Sequence, residues 1–136
     1  MMLMQASNTQ APEDDEDLIE YVNVLRQSIL EAYTGIVQGL HGGNKLHLIT
    51  PYVQSIIEFL QQLANDPNRD DGVTKAAVAL VGDIAHTMGT DANIKNALNQ
   101  PFIAALMRDA SGSPSDSTRE IAHWAHDTVQ KAIQAN

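Results

Sequence analysis

A chain of 136 residues with 43% apolar side chains holds one domain's worth of core, or is a slice of something larger. No apolar run approaches the ~20 residues of a membrane span, and the absence of cysteine excludes disulfides, thiolate-bound metals and thiol nucleophiles. The net charge of −9, from 17 acidic against 8 basic side chains, argues against a nucleic-acid binder, which must neutralise phosphates. Six of the acids (Glu13, Asp14, Asp15, Glu16, Asp17 and Glu20) form one tract, so residues 21 to 136 carry only −3.

Met1-Met2-Leu3-Met4 is too short for a signal-peptide core and has no preceding Lys or Arg, so no export signal is expected. Residues 5 to 16 combine polar side chains, Pro12 and the acidic tract without apolar periodicity, and read as a linker into a helix whose N-terminal dipole favours acids. Leu18, Val22, Leu25, Ile29, Ala32 and Ile36 then recur every four and three residues, predicting one apolar helical stripe that Gly39 and Gly42-Gly43 stop. A second stripe (Val53, Ile56, Ile57, Leu60, Leu63, Ala64) follows Thr50-Pro51, which fits an N-cap with proline in the first turn, and ends at Asn65-Asp66-Pro67-Asn68.

The third helix, from Val73 to Met88 before Gly89, is rich in small residues and is expected to be the most buried. Residues 90 to 99 and 101 to 110 read as two short helices or one broken at Pro101. The loop from Ser111 to Ser117 offers Ser115, Asp116 and Ser117 as rival N-caps for a last helix carrying Ile121, Trp124, Ala125, Thr128, Val129, Ala132 and Ile133. No stretch alternates like a strand, so the predicted fold class is all-α, with five or six helices whose short connections favour antiparallel packing. Periodicity leaves two architectures open, a closed bundle and stacked helix pairs of an α-solenoid; the internal echo, Gly82-Asp-Ile-Ala-His86 against Glu120-Ile-Ala-His123, is faint.

Chemistry is thinly marked. The serines sit in a loop with no Gly-x-Ser-x-Gly elbow, and Gly39-Leu-His-Gly-Gly43 lacks the lysine and hydroxyl of a phosphate loop, so no catalytic residue is assigned. His123 and His126 stand three apart beside Asp127, but without a further ligand at metal spacing they read as a solvated face; no metal or cofactor is expected. His86 and Asp83 read as structural groups with hydrogen-bond partners. Trp124, the only tryptophan, is either a core anchor of the last helix or an exposed contact for a partner.

Residues 17 to 39, and Leu30-Glu-Ala-Tyr-Thr-Gly-Ile-Val-Gln-Gly-Leu40 above all, resemble a helix near the C-terminus of the importin-β family of nuclear transport receptors. The similarity continues in order through Met4-Gln-Ala-Ser7, Pro51 to Leu63, Asp71-Gly-Val73, Ala79-Leu-Val-Gly-Asp-Ile84 and Ile121-Ala-His-Trp-Ala125, and so covers nearly the whole chain. This resemblance implies a non-enzymatic fragment of a HEAT-repeat superhelix. Residues 1–16 would be the end of a preceding repeat and an acidic linker, 17–66 and 67–110 two repeats, and 111–136 a loop and capping helix.

It further implies binding of the basic importin-β-binding segment of the adaptor importin-α, through a concave face made by the second helix of each repeat. Trp124 matches a family contact and would stack on Arg or Lys; Glu58 in the second helix and Asp127 beside Trp124 are further contacts chosen on charge and expected concave placement. Ran and nucleoporins would be engaged mostly by repeats absent here, with no nucleic acid and no membrane, in cytoplasm, nucleus and nuclear pore. The last residues and the loop at 40 to 47 depart from the family pattern, and an uncovered end could pair with a second copy. The alternative implied function is a purely structural cap.

Overall fold

The computed structural model describes residues 16–89 and 91–134, without the side chain of Leu46. The expected linker, apart from Glu16, the Met4-Gln-Ala-Ser7 resemblance and Thr90 lie outside the described residues. Within them are six helices and no strand: α1 (Glu16–Gly42), α2 (Val53–Ala64), α3 (Asp71–Met88), α4 (Ala92–Leu98), α5 (Pro101–Ser111) and α6 (Asp116–Gln134).

The ends follow local chemistry, with two departures from expectation. Helix α1 runs through Gly39 and stops in a Schellman arrangement, Lys45 N–H donating to Leu40 O at 2.7 Å and Asn44 N–H to His41 O at 3.1 Å. Asn44, with φ 58°, takes the left-handed position that the glycines were expected to supply. Thr50-Pro51-Tyr52 forms its own 3₁₀ turn, so α2 begins one step later, at Val53. Asp70 caps α3 by accepting from Val73 N, Asp91 caps α4 by accepting from Asn93 and Ile94 N, and Pro101 opens a separate α5.

Helix α3 lies between α1 and α6, and these three form one layer. The register is regular. Gln27 faces Gly72, Gln38 Nε2 donates to Asp83 Oδ2 at 3.1 Å, and the rings of His41 and His86 meet at 6.1 Å, all 45 residues apart. On the other flank Lys75 Nζ donates to Ser117 Oγ at 3.1 Å and Gly82 lies under Trp124, both 42 apart, while Gly89 meets Ala132, 43 apart. Constant separation means that the three helices run parallel, one period per helix pair. The Asp83/Glu120 echo, 37 residues apart, is out of this register and marks no repeat.

Helices α2 and α5 touch each other and form a second layer over a shared core that includes Leu30, Ile56, Leu60, Leu63, Leu80, Ile84 and Leu106, all 0% exposed. Tyr33 and Phe59 join α1 to α2 through tilted rings 6.4 Å apart, and burial raises the Tyr33 hydroxyl pKa.

Polar clamps repeat with the same period. Arg26, 2% exposed, pairs with Asp66 just beyond α2; 43 residues further on, Arg69 pairs with Asp109 of α5. Arg69 also donates from Nη1 to the carbonyls of Leu63, Ala64 and Asp66, each at 3.1 Å, and from Nε to Thr74 Oγ1 at 3.2 Å. Its guanidinium therefore gathers the free carbonyls at the end of α2 while it reaches the next repeat.

The predicted α1 stripe is only half core. Val22 and Ile29 are buried, whereas Leu18 is 44% and Ile36 40% exposed. Ile36 stands two residues from Gln38, so it points away from α3, and an uncovered apolar flank is left where a bundle would have sealed itself.

Candidate functional site

The layer formed by α1, α3 and α6 presents a continuous face on the side away from α2 and α5. Its middle ridge, from α3, is Gly72, Lys75, Ala76, Ala79, Asp83 and His86, all half-buried or exposed and small for most of its length. Between this ridge and α1 runs a shallow groove of about 320 Å³, with Gln27, Glu31 and Gln38 on one wall and Ala76 and Ala79 on the other. Asp83 ends the groove. Burial raises its carboxyl pKa, opposed in part by the Gln38 hydrogen bond and by nearby His86.

Trp124 closes the ridge from the α6 side. Neither sequence reading of it holds alone. The benzo edge of the indole occupies the space where a Gly82 side chain would stand, yet 40% of the residue is exposed. Such an aromatic is packed on one side and available on the other. Asp127 lies one turn further along α6, 54% exposed, within 3.4 Å of His123 Nε2 and 3.8 Å of His126 Nδ1.

Glu58 is elsewhere. It stands exposed on α2, in the second layer, where Gln54 Nε2 donates to it at 3.4 Å. The structure brings Trp124 and Asp127 onto one helix and leaves Glu58 out, because α2 covers the core from the far side. Glu31 and Asp83, which sequence reasoning did not select as contacts, are further acids on this layer. The signal that could have placed Asp83 is its separation from Gln38, one period away on the neighbouring helix α1.

Among the described residues the candidate histidines stand apart from one another in three surroundings. His86 meets His41 on the α1 side, His123 is 81% exposed on α6, and His126 lines a groove against α5 with Met107 and Arg108, its neighbour Asp127 being half exposed and outside that groove. Among the described residues no three His, Asp or Glu converge as metal ligands, and no helix is long and apolar enough to cross a membrane.

Parallel helices at a fixed period, a second layer of return helices, repeating Arg–Asp clamps and an open apolar flank define a HEAT-type α-solenoid. The family model described as importin subunit beta-1-like, TPR repeats, matches residues 1–111. The chain belongs to the importin-β family. It is 35% identical to importin subunit beta-1 of Schizosaccharomyces pombe over 99% of its length, and 33% identical to that of Saccharomyces cerevisiae over 97%. A crystal structure of importin beta in an ammonium sulfate condition superposes with a TM-score of 0.92 at 31% identity, covering 98% of this chain and 16% of that one. Yeast Kap95p, solved with RanGDP and with Nup1, superposes with a TM-score of 0.81 at 30% identity, again over 98% of this chain and 16% of that one. The chain thus spans about one sixth of its relatives, 16% and 15% of the two curated proteins.

Proposed function

We propose that this chain is a ligand-gripping part of a nuclear import receptor, working between cytoplasm and nucleus without catalysing a reaction. Its α1/α3/α6 face receives the basic segment of the adaptor importin-α. The observation that carries the reading is Trp124, held edge-in over Gly82 with two fifths of its surface open, on the same face as Glu31, Asp83 and Asp127. An indole flanked by carboxylates suits a guanidinium or ammonium side chain, which gains cation–π attraction and charge pairing together. Ran and nucleoporins are further partners proposed for the whole receptor, supported by the Kap95p complexes with RanGDP and Nup1.

Titrating the folded chain with a peptide of the importin-α segment at low salt tests this. Trp124 emission changes on binding, and Trp124→Ala weakens the affinity about two- to fivefold, the worth of a half-exposed cation–π contact. No heat and no emission change on titration would replace this reading with that of a structural cap.

A further inference from the structure

We infer that Gly82 is the positioning residue for Trp124: by carrying no side chain it admits the indole edge against α3 and fixes the pose in which the ring meets a cation. The inference rests on the proposed role of this face as the receptor for a basic segment. A Cβ built on Gly82 lies 2.2 Å from Cζ3 of Trp124, 2.8 Å from Cη2 and 2.9 Å from Cε3, all closer than real atoms approach. The ring fills the space of the missing side chain.

The kind of obstacle is specific to this position. Gly35, Gly39 and Gly42 have nothing within 4 Å of a built Cβ; Gly72 and Gly89 are also crowded, but by the end of the flexible Gln27 side chain at 2.4 Å and by Ala85 O at 2.2 Å with the Ala132 methyl at 2.7 Å, whereas at Gly82 the obstacle is an aromatic ring. Helix α3 cannot yield to an added methyl, because it is held between α1 and α6, with Leu80 and Ile84 fully buried around Gly82. The half-exposed indole can yield, by changing rotamer toward solvent. Gly82→Ala therefore expels the ring from its slot without touching any group that contacts the ligand.

Trp124 is the chain's only tryptophan, so its emission reports this side chain alone. In the free protein, Gly82→Ala shifts the emission to the red and increases acrylamide quenching, while Gly39→Ala leaves both unchanged. With the basic peptide, Gly82→Ala weakens binding about as much as Trp124→Ala does, and in the Trp124→Ala background it has no further effect. Unchanged emission and quenching in a folded Gly82→Ala overturn the inference. If Gly82→Ala does not fold, the double variant Gly82→Ala/Trp124→Ala decides: restored folding shows that the clash is with the indole, and continued unfolding overturns the inference by placing the need for glycine in the helix packing. A wild-type protein that ignores the peptide refutes the receptor role, while the emission data still judge the pose.

Discussion

Arg69 is where one substitution should cost most for the least change in surface. Arg69→Ala removes a guanidinium that is 10% exposed and that satisfies three backbone carbonyls, the Thr74 hydroxyl and Asp109. Breaking a largely buried charged centre costs about 3–5 kcal/mol, and the lower end applies here because the turn after α2 admits water to part of what is exposed. With ~2.1 cal/mol/K per residue over 136 residues, the unfolding entropy is roughly 0.29 kcal/mol/K, so a loss of about 3 kcal/mol lowers the Tm by about 10 °C. Asp109→Ala removes the other half of the same ion pair. That carboxylate is 52% exposed and leaves Arg69 its carbonyls, so its loss costs about 0.5–1 kcal/mol, or about 2–3 °C. Thermal melts followed by circular dichroism separate the two. Equal shifts for Arg69→Ala and Asp109→Ala would show that the ion pair, and not the gathering of helix-end carbonyls, is what matters, and would refute the reasoning.

Two further outcomes follow from burial. Ile29 and Ile36 belong to the same sequence stripe, but Ile29→Ala should cost about 2–5 kcal/mol by urea denaturation, and Ile36→Ala, at 40% exposed, less than about 1 kcal/mol. Asp83, whose carboxyl pKa burial raises, opposes folding when ionised: its folded form binds the proton more tightly than its unfolded form, so stability falls as pH rises above the ordinary carboxylate value toward the raised one. Asp83→Asn, which leaves Gln38 an acceptor, should accordingly raise the Tm modestly at pH 7 and not in acid below the ordinary carboxylate range; an equal change at both would break the link to titration.

What the sequence made legible was local. The end of α2 at Asn65, the break at Pro101 and the small-residue character of α3 are decided within a few residues of where they act; the caps at Asp70 and Asp91 are as local, but the sequence reading did not single them out. The stripe from Leu18 to Ile36 located an apolar face, but periodicity cannot say how much of it is covered; Val22 and Ile29 are buried, whereas Leu18 and Ile36 stay 44% and 40% exposed. Trp124 stayed ambiguous for the same reason. Its environment is Gly82, 42 residues away, and no windowed pattern links a tryptophan to a distant glycine. Glu58 lies on α2, in the layer opposite Trp124, and charge alone does not reveal the layer in which a helix lies. The recurrence of Arg26 with Asp66 and of Arg69 with Asp109 has a period of 43 residues, but Asp66 and Arg69 sit in a turn that reads as a polar connector, and their partners lie 40 residues away.

Those two clamps stand in series, the first tying α1 to the turn after α2 and the second tying that same turn to α5, and neither shares a residue with the other. A pull along the superhelix is divided between them like tension along a spring, so each junction flexes by a small angle and the angles add. Bending such a stack needs no hinge: the compliance is distributed over every rung, and a single loosened latch softens the whole without severing it.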